Sequence, residues 1–259
     1  MTYPGPVTDL EIIDPSAPFA LVGLLRTSEF TGASRPDQVS HQIETAIAVG
    51  LIGAGERLPP ERQLATQLGV TMLQIRQALA TLRERGLIET RRGRGGGSIV
   101  CDTTAISDDE VRRRLRERST EELRDLGDLS AALSGSAARY AAARADEPEV
   151  RRLRLLALQF HDAGSDARRR ADSRFHSGLG IAAQSRRLTT AIVQVQGEIS
   201  PLLWPSGESD LDPADTFRDY AAVVDAIESG DELSAQEAAL SHGSRETERL
   251  VDARLALLL

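Results

Sequence analysis

Apolar positions change period along this chain, and each change marks a boundary. From Pro36 onward Val39, Ile43, Ala46 and Ile47 recur at i, i+4, i+7 and i+8, the stripe of an amphipathic helix, and Gly50 ends the run. A loop over residues 52–59 leads to Pro60, in the first turn of a short helix with Leu64, Ala65 and Leu68 on one face and Gly69 just past its end. Thr71 is placed to cap a third helix, whose stripe is Ile75, Ala78, Leu79 and Leu82 and which Gly86 stops. The pattern then turns extended: Leu87-Ile88-Glu89-Thr90 and Ser98-Ile99-Val100 read as strands around a Gly93–Ser98 turn.

After Ser107 the period is helical throughout, rich in Ala, Leu, Arg and Glu. It predicts helices near 108–118, 120–145, 148–163, 166–184, 186–203, 214–229 and 232–256, punctuated or interrupted by Gly127, Gly135, Pro148, Gly164, Pro201, Pro205 and Gly230. The expected fold is therefore mostly α: a winged helix-turn-helix unit of three helices and a β-hairpin over 36–100, a polar linker over 101–107, and an all-α bundle over 108–259. Residues 1–35 read as an arm, with one apolar stretch at 18–25.

Composition narrows the chemistry. All 31 basic residues of the 259 are arginine. Without lysine there is no Schiff-base catalyst and no P-loop. One cysteine, Cys101, excludes an internal disulfide and a Cys-only zinc site, and fits a reducing compartment. The acidic, proline-bearing N-terminus does not resemble a signal peptide, and no apolar run approaches the ~20 residues that span a bilayer. A cytoplasmic protein with no membrane partner is expected.

Net charge is −8, yet Arg62 to Arg94 holds seven Arg against two Glu. A basic island in an acidic protein points to a polyanion. In a winged helix-turn-helix the third helix enters the major groove of double-stranded DNA with its N-terminal residues on base edges. Leu73, Gln77, Ala80 and Glu84 point away from the core stripe, with Gln74 and Arg76 on its flanks. Gln pairs with adenine, Arg with guanine, and an apolar side chain with the thymine methyl. Arg62 suits a phosphate or base, and the Arg91–Gly97 tip, with Arg92, Arg94 and Gly95, suits a minor groove or backbone.

The stretch from Gly55 to Val100 closely resembles the winged-helix domain of GntR-family transcription regulators. It carries that family's G-x-x-L-P-x-E-R-x-L-A loop and helix, its L-G-V-[ST] turn, its V/I-R-x-A-L recognition helix and its G-L-[IV]…R-x-G-x-G wing. The resemblance implies DNA contacts from Arg62, Thr71, Arg76 and the wing glycines. Met72 stands where the family often has Arg, and the wing is longer by a glycine or two, so the usual operator sequence is not implied.

The helical half resembles the FCD effector-binding domain of the FadR-like subfamily, through Ala171-Asp172-Ser173-Arg174-Phe175-His176 and through Val224 to Asp231 followed by Ala238 and His242. In many such domains one Asp and three His hold a divalent metal, commonly zinc. Asp172, His176 and His242 match three of the four, and one divalent, zinc-like ion is the candidate cofactor. Asp172 and His176, at i and i+4, share a helix face. The fourth ligand falls on Tyr220, a poor zinc ligand because its free pKa is about 10. Water or an effector oxygen fills that gap, or Tyr220 only hydrogen-bonds. Where the subfamily often places an effector-binding Arg, this chain has Ser130 and Ser134, leaving Arg139 and Arg174 as other candidates. A dicarboxylate effector is therefore not implied.

The reading is a homodimeric transcription regulator, in the commoner case a repressor, whose helical half binds a small metabolite and so modulates operator binding. Two alternatives stand beside it: a zinc-dependent hydrolase built on Asp172, His176 and His242, and a regulator whose helical half only dimerises.

Overall fold

A computed structural model describes residues 34–48, 52–91, 93, 96–101, 108–204 and 213–258. The arm up to residue 33, the linker at 102–107, Pro205, and the wing residues Arg92, Arg94 and Gly95 lie outside the described residues. The order is α1 (Arg35–Ala48), α2 (Glu61–Leu68), α3 (Met72–Glu84), β1 (Ile88–Arg91), β2 (Gly97–Val100), then α4 (Asp108–Glu117), α5 (Thr120–Arg144), α6 (Glu147–Asp162), α7 (Ser165–Ala182), α8 (Arg186–Leu203), α9 (Pro213–Glu228) and α10 (Glu232–Ala256). The fold is mostly α, with one antiparallel hairpin among the described residues, in which Ile88 faces Val100.

Local chemistry sets the boundaries. Gly69 ends α2 in the left-handed region at φ 65°, where a Cβ is strained. Three helices begin with capping boxes: Thr71 with Gln74 on α3, Ser119 with Glu122 on α5, and Asp146 with Glu149 on α6. The loop before α2 is more ordered than its composition implies. Gly55 and Leu58 donate to the carbonyls of Val100 and Ser98, so the loop lies along the free edge of β2.

Three expected interruptions do not interrupt. Gly127 and Gly135 sit within an unbroken α5, and Pro201 sits in the last turn of α8. The glycines are there for proximity. A Cβ on Gly127 would lie 2.2 Å from Thr247 Oγ1, and one on Gly243 would lie 2.7 Å from Ala131 Cα. Small residues on both sides let α5 and α10 pack backbone to backbone, the central pairing of the bundle.

Two buried apolar clusters result. One holds the stripes of α1, α2 and α3 with Ile52, Leu58, Ile88 and Val100. The other fills the bundle around Phe160, Phe175, Trp204 and Tyr220. They are not insulated from each other: Val193 of α8 is buried in the first cluster, and Ile181 of α7 packs against it. Among the described residues no helix is long and apolar enough to cross a membrane.

Candidate functional site

Two places bring together the residues singled out by sequence. The first is the exposed start of α3. Gln74 N–H donates to Thr71 Oγ1 at 3.3 Å, and Thr71 N–H donates to Gln74 Oε1 at 2.9 Å. Gln74 therefore spends its side-chain oxygen on the cap rather than offering both amide groups to adenine. Leu73 is 65% exposed at the helix tip. Arg62, Arg76 and Gln77 are exposed beside it. Arg76 Nε bonds Glu61 Oε2 at 2.9 Å, a mobile surface pair that a phosphate or a base can replace. Met72 is half-buried and packs back onto the core of this unit. The residue that departs from the family's Arg is thus partly a packing residue.

The second place is the centre of the bundle, where Asp172 and His176 of α7, Tyr220 of α9 and His242 of α10 are all buried. Asp172 is fully engaged: Tyr220 OH donates to Oδ1 at 2.6 Å and Ser200 Oγ donates to Oδ2 at 2.9 Å. Tyr220 is clamped, stacked on Phe175 at 3.7 Å with Phe160 edge-on at 5.2 Å. Burial, together with the Asp172 charge, pushes its hydroxyl well above the usual value of 10, so it stays a neutral donor. His176 Nδ1 lies 3.2 Å from Ser134 Oγ, and its Nε2 lies 3.4 Å from Tyr220 OH.

Two residues that sequence reasoning missed complete the cluster. Glu246, one turn beyond His242 on α10, is 1% exposed, with Oε1 3.3 Å from His242 Nε2 and 3.9 Å from His176 Nε2. Asp219 receives His242 Nδ1 at 3.0 Å and is itself bridged by Arg245. The i, i+4 spacing of His242 and Glu246 was the available signal, the same spacing that drew attention to Asp172 and His176.

The electrostatics follow. Burial alone would lower the His242 pKa, but the Glu246 and Asp219 carboxylates outweigh it and raise it to about 9. Burial lowers that of His176 and raises that of Asp172. Glu246 is held below the usual carboxylate value by His242 and His176 in spite of its burial.

The remaining candidates fall apart spatially. Ser134 joins the cluster through His176, and Ser130, one turn earlier on α5, is also buried. Arg139 lies on the surface, its Nε 3.2 Å from Glu232 Oε2. Arg174 is half-buried, and burial lowers its pKa in spite of the opposing Glu56 charge. His41 and His161, the other two histidines, are exposed and lie outside the cluster.

The centre fits a divalent cation in one respect. His242 Nε2 and both Glu246 oxygens are buried without a hydrogen bond, the state that a shared cation relieves. His176, His242 and Glu246 each offer a donor atom within 4.8 Å of the others.

The model of the gntR family of bacterial regulatory proteins matches residues 36–96, and that of the FCD domain matches residues 125–245. The chain is 37% identical over 226 residues to a Mycobacterium gastri protein named as the HTH-type transcriptional regulator RmpR, covering 86% of this chain and 82% of that one. An HTH-type transcriptional regulator of Mycobacterium tuberculosis is 32% identical over 206 residues, covering 77% of this chain and 82% of that one. The Uxu operon transcriptional regulator of Escherichia coli is 28% identical over 232 residues, covering 86% of this chain and 89% of that one. These relatives are named as regulators, and the hydrolase reading gives way to them. The chain belongs to the GntR family of bacterial regulatory proteins, with an FCD domain, and is a DNA-binding transcription regulator rather than an enzyme.

Proposed function

We propose that the protein is a homodimeric repressor that binds a short inverted repeat through α3 and the wing, and that a small metabolite in the bundle changes operator affinity. Arg62, Thr71, Leu73, Gln74 and Arg76 face the DNA, with Met72 behind them and Arg92, Arg94 and Gly95 of the wing on the backbone or minor groove. The working units are 36–100 for DNA and 108–259 for effector binding and dimerisation, joined by 101–107. One divalent, zinc-like ion in the bundle centre is part of the effector site, bordered by Tyr220, Ser134 and Ser130.

The observation that carries the coupling is α8. Ser200 on this helix holds Asp172 in the buried centre, and Val193, two turns earlier, is buried in the core of the DNA-binding unit. A ligand that moves α8 therefore acts on both, which is what a two-state regulator requires. It also favours ligand sensing over a helical half that only dimerises.

Fluorescence anisotropy tests the reading, using the DNA upstream of the protein's own gene and a random duplex at the same fixed salt. The upstream DNA is expected to bind at least about 1,000-fold more tightly. Equal affinity for the two would sink it.

A further inference from the structure

We propose that the bundle's divalent ion is held by His176, His242 and Glu246, with Glu246 taking the place of the ligand missing at position 220 and Asp172 acting as an anchor instead of a ligand. This rests on the metal-binding reading above and names its ligands.

The case begins with what is already occupied. The Asp172 carboxylate receives two hydroxyl donors, from Tyr220 and Ser200 on different helices. Tyr220 cannot swing away, because the rings of Phe175 and Phe160 hold it. Turning Asp172 towards an ion would break both bonds, leaving Ser200 only the Arg169 carbonyl at 3.1 Å and Tyr220 only His176 Nε2 at 3.4 Å, an atom the ion itself would take.

The three proposed ligands are less fully engaged: His242 Nε2 and both Glu246 oxygens have no hydrogen bond, and His176 Nε2 has only the 3.4 Å contact with Tyr220 OH. Asp219, itself held by Arg245, fixes His242 through Nδ1 and leaves Nε2 aimed inward. Ser134 engages Nδ1 of His176, and the Nε2 of that ring lies 3.9 Å from Glu246 Oε1 with Tyr220 OH at 3.4 Å. An outer partner that orients an imidazole in this way is the usual support of a metal-bound histidine. Glu246 brings two buried oxygens without a hydrogen bond. A tetrahedron with ~2.0–2.1 Å bonds has edges of about 3.3 Å, and Glu246 Oε1 lies 3.3 Å and 3.9 Å from the two imidazole nitrogens. His242 and Glu246, one helical turn apart, present both donors from one rigid face of α10. The missing histidine on α9 is thus replaced from α10.

The test uses full-length protein stripped of metal, equilibrium dialysis against zinc, and metal analysis of each variant. The parent is expected to bind one ion per chain. Glu246→Gln, close in shape, is expected to weaken binding at least about tenfold, and Asp172→Asn to stay within about threefold. The zinc-induced rise in melting temperature should vanish in the first and persist in the second. If Glu246→Gln does not melt cooperatively, Glu246→Asp gives the same contrast, since its withdrawn carboxylate should weaken zinc while Asp172→Asn does not. Loss of zinc by Asp172→Asn, or retention by Glu246→Gln, overturns the ligand set and leaves metal binding standing. No zinc uptake by the parent overturns both.

Discussion

At the tip of α3, Leu73 keeps 65% of its surface in water, while at the centre of the bundle Tyr220 keeps none. The two regions are opposites in construction. The α3 face is assembled from residues close together in sequence, and its polar groups are capped, paired weakly or left to solvent. The bundle centre draws on five helices, α5, α7, α8, α9 and α10, and its groups are clamped by one another except at His242 Nε2 and the Glu246 oxygens. The open face can exchange its partners for DNA at little cost. The closed centre can accept a ligand only at atoms its own network leaves unmatched. That contrast tells which mutations should change stability and which should change binding.

The largest expected effect is Phe175→Ala. It removes a fully buried ring from beneath Tyr220, and large-to-small changes of this kind cost about 3–5 kcal/mol. Trp204, the one tryptophan, lies in the same aromatic cluster, 5.2 Å from Phe160, so its fluorescence reports unfolding of the bundle in urea. Leu73→Ala is the counterpart and should shift stability by less than about 0.5 kcal/mol. Similar midpoints for the two variants would erase the contrast.

Next comes Arg76→Ala. If Arg76 leaves Glu61 to read a base, the loss is about 1–3 kcal/mol of operator affinity and relaxed sequence preference at one position. Anisotropy against the operator and against single-base variants checks this. A uniform loss on every duplex would assign Arg76 to the phosphate backbone.

How much of each region was legible follows from the same contrast. The stripes of α1, α2 and α3, the Gly69 stop and the Thr71 cap all appear in the structure, because they depend on neighbours within a few residues. In the bundle Asp172, His176, His242 and Tyr220 do converge, as the resemblance implied. The engagement of Asp172 was not legible, since Ser200 is 28 residues away and belongs to no motif. Glu246 was overlooked for another reason: in a helix with many acids, a single buried one looks like the rest. Gly127 read as a helix interruption because spacing alone does not separate a breaker from a close-packed contact.

Thr71→Ala probes the boundary of the open region. It removes the acceptor for Gln74 N–H and frees Gln74 Oε1 from its reciprocal bond. Loss of such a cap costs about 1 kcal/mol. Faster amide exchange at the start of α3 should report it, with no change in the bundle's Trp204 signal. Unchanged exchange at Gln74 would mean that the cap adds nothing to the helix.

The smallest effect is expected from Arg139→Ala, the one site candidate on an outer face of the bundle. Its Nε meets Glu232 Oε2 at 3.2 Å, with the two side chains 47% and 46% exposed. A pair in that much solvent is screened and held by two flexible chains, so it contributes between nothing and about 1 kcal/mol. Removing it leaves Glu232 hydrated and uncovers no buried charge. Stability should move by less than about 0.5 kcal/mol, and zinc uptake should not move at all, because the guanidinium is committed to the far end of α5 and not to the cluster around His176. Dialysis and a melting curve on the one variant decide it. A drop in zinc uptake with stability intact would extend the site to the α5 surface and end the separation between an open face and a closed centre.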